Sequence, residues 1–356
     1  MTDTADSRPW RRFILGFTCM ALALAAVFYA CVVALDPYGL RTGRGSDPGP
    51  IMDLNQRFMY PQIVRSGRFD SAVFGTSTVR LLDPEKLNAA FGGRFANLGL
   101  NAGTPWEQMQ LADLFLRTVP EPRAMIFGLD LTWCEPDADE KKLTFRPFPP
   151  WLYDEDRLND YPQLLNLTSL EIAGRMALNR LGLMSERIRP DGYEVFVPDE
   201  ALYDLERAQA HIWGNERRPP LPPLRTVELS SAEKRQLRFP ALTWLDAALG
   251  RVPASAEVVL TMMPIHYAAQ PWPGSRESAV DAECKARIAQ LGRARGATVV
   301  DFRILSDVTF EDSNYWDPLH YRIGIAERIV AALREARLTG RDAADGFYRV
   351  LNPATR

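Results

Sequence analysis

The chain has 356 residues, 45 acidic against 42 basic side chains, a formal charge of −3, and 46% hydrophobic residues. This excludes a disordered polyelectrolyte and leaves room for one large domain or two ordinary ones. The near balance of charge gives no basis for a nucleic-acid partner.

In chain order, the first departure from the average is Phe13 to Leu35, which holds no charged residue. At about 1.5 Å per residue it is long enough to cross a bilayer core of about 30 Å. Arg11 and Arg12 precede it and Asp36 follows. The positive-inside rule then puts residues 1–12 in the cytoplasm, makes 13–35 a single membrane anchor, and places the rest outside the cytoplasm. A cleaved signal peptide is the competing reading. The apolar run is longer than a usual signal core, and no A-x-A site follows it. Phe28-Tyr29-Ala30-Cys31 is a poor lipidation box. Residues 36–60, with Gly39, Gly43, Gly45 and Asp47-Pro48-Gly49-Pro50, read as a linker.

Strand and helix signals then alternate. Short apolar runs predict strands at 71–74, 95–98, 124–129, 258–262 and 297–302. Asp83 with Pro84 caps a helix to Phe91, and Thr104-Pro105 opens another. Further helices are expected at 232–249, 277–295 and 323–338. Continuous apolar strands between helices imply a parallel sheet covered on both faces, with functional residues at the carboxyl ends of the strands. Residues 132–230 break the alternation with runs rich in Pro and aromatics, including Phe145–Tyr153 and Arg217–Pro223. They read as a lid or glycan-binding insertion, or as a helical extension packed on the sheet.

The chain has three histidines, and one stands in Asp317-Pro318-Leu319-His320. An aspartate three residues before a histidine can orient one ring nitrogen and leave the other free as a base. The same carboxylate is also a natural helix cap, so two roles compete for it. Far upstream, Gly75-Thr76-Ser77 follows the first strand. Ser77 is either a helix cap or a nucleophile awaiting a base. Arg80, Asp130 and His266 are candidate substrate contacts beside it; for Arg80 a structural salt bridge competes, and for His266 a hydrogen-bonded loop position. Trp106, Trp133 and Trp316 are either sugar-stacking or core rings. His211 receives no role. Cys134 and Cys284 allow one disulfide outside the cytoplasm, but the free-thiol reading is favoured. No cysteine–histidine cluster has metal-ligand spacing, and no glycine loop calls for a nucleotide, so no metal or cofactor is expected.

Gly75-Thr76-Ser77, then Asn97-Leu98-Gly99-Leu100-Asn101-Ala102-Gly103, then Asp317-Pro318-Leu319-His320 occur in this order. Together they resemble the SGNH (GDSL-type) hydrolase superfamily, and within it the membrane-anchored bacterial branch of alginate O-acetylation proteins. The resemblance implies a flavodoxin-like three-layer α/β/α sandwich over residues 61–338, interrupted by 132–230, with 339–356 as a tail. It implies Ser77 as nucleophile, His320 as base, Asp317 as orienting acid and Gly103 as a backbone oxyanion donor, with Gly99 in reserve. The family's third block has an asparagine where this chain has Asp130, an acceptor of the wrong charge; Asn101 would donate instead. The implied activity is a serine O-acetylesterase or O-acetyltransferase on a surface or periplasmic polysaccharide, at the bacterial inner membrane with its domain in the periplasm. A membrane protein supplying acyl groups is the partner expected of a transferase. The alternatives are a catalytically decayed glycan-binding or scaffold subunit, and a lipid-active esterase.

Overall fold

The computed structural model describes residues 8–214 and 226–353 of the chain. The expected run Arg217–Pro223 lies outside the described residues. The architecture is α/β, built on one six-stranded sheet: β1 (Ser71–Gly75), β2 (Phe95–Gly99), β3 (Ala124–Gly128), β4 (Glu257–Met262), β5 (Thr298–Asp301) and β6 (Arg349–Asn352). Their spatial order is β2-β1-β3-β4-β5-β6; the first five are parallel and β6 joins β5 antiparallel. The helices are α1 (Arg8–Leu35), α2 (Gln56–Arg65), α3 (Pro84–Phe91), α4 (Pro105–Thr118), α5 (Asp160–Gln163), α6 (Leu167–Arg180), α7 (Leu205–Trp213), α8 (Ser231–Gln236), α9 (Pro240–Leu249), α10 (Arg276–Arg295), α11 (Asp307–Phe310) and α12 (Ile323–Thr339).

Alternate strand residues feed two cores, because successive side chains on a strand point to opposite faces. Phe74, Leu98, Phe127 and Leu260 pack with α2, α4 and α9, while Val73, Phe95, Ile126 and Val259 pack with α3 and α12. The helices that were readable start on local chemistry. The Asp83 side chain accepts from Glu85 N–H ahead of Pro84, and Thr104 and Glu107 form a reciprocal capping box ahead of α4.

Three expectations change. Residues 36–60 are not a free tether: Tyr38, Leu40, Ile51, Met52, Met59 and Tyr60 are buried, and α2 begins inside this stretch. The helix expected over 232–249 is two helices, because Pro240 opens α9 and its ring disfavours a helical Phe239. The expected tail 339–356 carries β6, which closes one edge of the sheet.

Cys134 and Cys284 form a disulfide, which overturns the free-thiol reading. It ties the turn after β3 to α10 across 150 residues of sequence. Replacing both by serine is expected to lower stability by about 2–5 kcal/mol, because so long a loop then regains its entropy on unfolding. Denaturant unfolding with and without reductant measures this, and an unchanged midpoint would contradict it.

Among the described residues one helix, Pro9–Leu35, is long and apolar enough to span a membrane; it is exposed up to its last two turns, where Val32 is buried.

Candidate active site

β1 ends at Gly75, and the chain drops into a single 3-10 turn, Ser77–Val79. The carboxyl ends of three adjacent strands carry Gly75, Gly99 and Gly128, and all three face Val79. A Cβ on any of them would sit 2.7, 2.8 or 2.2 Å from a Val79 methyl. The glycines therefore open a trough that seats the turn on the end of the sheet. Asn97, fully buried in β2, fixes it there: its amide donates to the carbonyls of Val79 (2.8 Å), Arg80 (3.2 Å) and Leu82 (2.9 Å). The Tyr321 hydroxyl donates to the carbonyl of Thr78.

His320 arrives on the loop before α12. Its Nε2 lies 2.8 Å from Ser77 Oγ, and its Nδ1 lies 2.7 Å from Asp317 Oδ2. A carboxylate only accepts, so Nδ1 carries the proton and Nε2 is left to accept from the serine hydroxyl. The two roles foreseen for Asp317 do not compete. Oδ1 accepts the N–H groups of Leu319 (2.8 Å) and His320 (3.0 Å), while Oδ2 holds the imidazole. Burial pushes the Asp317 carboxyl up, but hydrogen bonds from the His320 ring and these two amides outweigh it and hold it below the ordinary carboxylate range.

The remaining candidates divide. Ser77, His320, Asn101, Gly103 and Asp130 line one cavity of about 480 Å³, walled on another side by Met263 and Ile265. Gly103 lines it without offering its amide, which donates to Leu100 O (3.0 Å) and closes a turn. That turn needs glycine, since a Cβ would meet Leu100 Cβ at 2.7 Å. The reserve, Gly99, has its amide spent on Asn97 Oδ1 (3.1 Å). The free donors are elsewhere: among the described residues, nothing accepts the N–H of Ser77 or of Ala102. Ala102 has φ of +49°, a left-handed conformation costly for a residue with a Cβ.

What imposes it is Arg57, fully buried on α2. Its guanidinium forks onto both oxygens of Glu107 (2.8 and 2.6 Å) and donates to the carbonyls of Asn101 (3.1 Å) and Ala102 (3.3 Å). In a trans peptide, the Asn101 carbonyl turned toward Arg57 turns the Ala102 N–H the opposite way. Asp130 faces the cavity, yet its Oδ1 is committed to the N–H and hydroxyl of Thr132 (3.1 and 2.5 Å). Arg303, another lining residue, holds Leu129 O (3.0 Å) and so fixes the backbone just before Asp130.

Two candidate substrate contacts are corrected. Arg80 is buried in an ion pair with Glu194 and lies 4.4 Å over the Phe196 ring. It reaches the site only through Phe196, whose ring meets that of His320 edge-on at 5.1 Å. His266 is fully buried and out of the cavity. Its Nδ1 accepts from Ala268 N–H (3.2 Å), which leaves Nε2–H for Asp312 Oδ1 (3.1 Å). Gln209 and Trp213 of α7 donate to the other Asp312 oxygen (3.0 and 3.2 Å). His211, which had no role, donates from Nδ1 to Trp316 O (3.2 Å). Trp133 and Trp316 are core rings, and Trp106 packs on Phe148.

Arg57, Arg303 and Phe196 carried no local sequence signal. Asn97 did, since it stands in the block with Asn101 and Gly103. Among the described residues, no group of three His, Cys, Asp or Glu side chains could hold a metal ion. No family model and no curated protein sequence matches the chain.

Proposed function

We propose that this chain is a membrane-anchored SGNH-type serine esterase or O-acyltransferase working through an acyl-Ser77 intermediate. The observation that carries the reading is the unbroken hydrogen-bonded chain Ser77–His320–Asp317, with links of 2.8 and 2.7 Å beside a cavity. The order 2-1-3-4-5 of the parallel strands supports a flavodoxin-like three-layer sandwich, with 132–230 as its insertion.

In the reaction, Nε2 of His320 takes the Ser77 hydroxyl proton as Oγ bonds to the ester carbonyl carbon. The carbonyl oxygen becomes an oxyanion met by the N–H groups of Ser77 and Ala102 and the amide of Asn101. The tetrahedral intermediate collapses, the ester C–O bond breaks, and His320 returns its proton to the leaving alkoxide. Water or a sugar hydroxyl then attacks the acyl-serine, with His320 again the base. Water makes the enzyme an esterase, a sugar hydroxyl makes it a transferase, and acetyl is the simplest acyl group. The substrate class we infer is an acylated polysaccharide of the cell surface or periplasm, with a membrane protein as acyl donor in the transferase case. Anchorage by α1 at the bacterial inner membrane with a periplasmic domain agrees with Arg11 and Arg12 ahead of the span. It also agrees with a disulfide that needs an oxidising compartment.

A second reading, a glycan-binding or scaffold subunit without catalysis, has one observation on its side. The Asp130 carboxylate lines the cavity where an oxyanion wants only donors. Labelling of the full-length chain by a fluorophosphonate probe separates the two. The expected result is labelling of the wild type and none of Ser77→Ala or His320→Ala. A folded wild type that stays unlabelled would overturn the enzyme reading and leave the scaffold.

A further inference from the structure

The carboxyl end of α1 is packed against the domain. Val32 is buried, the Tyr29 hydroxyl donates to Tyr161 O (3.1 Å), and the Arg180 guanidinium donates to Leu35 O (3.3 Å). The segment from α5 through α6 therefore rests on the last two turns of the apolar helix. One face of α6 is core: Ser169, Ile172, Ala173 and Met176. The opposite face carries Leu167, Leu178 and Leu181, at helical spacing that puts them on one side. Leu165 and Leu183 flank that face at its two ends. Exposure of these five side chains runs from 39% for Leu178 to 84% for Leu167. Glu171, on the same side, is paired with Arg175. Exposed leucines gathered on one face call for an occupant.

The position of the face names one. A helix of 27 residues is about 40 Å long, more than a hydrocarbon core of about 30 Å, so its end turns lie at headgroup depth. Whatever packs on Tyr29 to Leu35 lies at that depth too. We propose that the leucine face of α6 is seated in the bilayer interface, so that the domain lies on the membrane instead of hanging from it by one helix. This rests on reading α1 as a membrane anchor. Tyr29 and Tyr161 at the junction suit the interface.

The test uses the full chain with Cys19 and Cys31 changed to alanine, in nanodiscs of phosphatidylethanolamine and phosphatidylglycerol. A single cysteine is placed at Leu181, at Leu22 within α1, or at Arg349 on β6. β6 is the edge of the sheet opposite β2, and the chain that follows α6 borders β2 through the Asn97 N–H to Asp191 O bond. Each cysteine carries an environment-sensitive fluorophore, and quenching by spin-labelled lipid is read. The expected result is quenching of the Leu181→Cys label to at least half that of the Leu22→Cys label, with none at Arg349→Cys. A quenched Leu22 label beside an unquenched Leu181 label overturns the seat and spares the anchor. If that Leu181 label is instead shielded only in a dimer, the face belongs to a second copy and the proposal falls. An unquenched Leu22 label overturns both.

Discussion

An Asp317→Asn chain should fold as the wild type does and lose about 10⁴-fold in kcat/KM. The asparagine oxygen can still accept the amides of Leu319 and His320, so the loop keeps its cap. Its amide nitrogen, however, donates where the carboxylate accepted. It forces the His320 proton from Nδ1 to Nε2, and an Nε2–H cannot take the Ser77 proton. Hydrolysis of p-nitrophenyl acetate beside thermal melting reads both consequences. A chain that melts normally and turns over within tenfold of wild type would remove Asp317 from the mechanism. The pH behaviour has a defined sign. The folded Asp317 carboxyl titrates below its unfolded value. Its contribution to stability is thus complete above the ordinary carboxylate value of about 4 and is lost as pH falls through the lower folded value. Asp317→Asn should flatten the dependence of melting temperature on pH only in that acid range.

The second large effect belongs to Arg57. Changing it to methionine leaves Glu107 buried without its cation, which costs about 3–5 kcal/mol of stability. It also frees the carbonyls of Asn101 and Ala102, so nothing then holds the Ala102 N–H on the side away from Arg57, where the proposed oxyanion would form. Loss of one oxyanion donor lowers kcat by about 10²–10³-fold. Pairing Arg57→Met with Glu107→Met removes the orphaned charge and should restore the melting temperature while kcat stays low and KM is unchanged. Recovery of kcat together with stability would make Arg57 a fold residue only. Lysine at 57 keeps the charge but not the fork, and should recover less than half of the lost activity on a logarithmic scale.

Why these two residues differ in legibility is physical. Asp317 acts three residues from its partner, so the pattern is local and visible. Asp83-Pro84 and Thr104-Pro105 with Glu107 were visible for the same reason. Arg57 acts across 44 to 50 residues, from a helix whose buried face includes Gln56, Arg57, Gln62 and Arg65 and which carries Pro61 inside. Its buried polar side chains and internal proline hide such a helix, and its apolar neighbours were lost in a stretch that reads as a tether. Gly103 was readable as special but not for its reason: its missing side chain serves a turn, and the N–H left without an acceptor is that of its neighbour Ala102. Gly75 reads only as part of the serine block and Gly99 as a reserve oxyanion donor, while what they permit, together with Gly128, is the approach of Val79. His266 and Arg80 stand at the right sheet end, and only the aromatic and acidic groups packed around them decide that they face inward.

The contact between Ser77 and His320 closes 243 residues of sequence, and the loop that carries His320 is braced by His211 and His266 from two other distant segments. The hydroxyl gains its proton acceptor only when the last tenth of the chain has joined the first third. If Ser77 is the nucleophile we propose, a ribosome-bound chain, or one cut before Asp317, carries a serine no more reactive than any other.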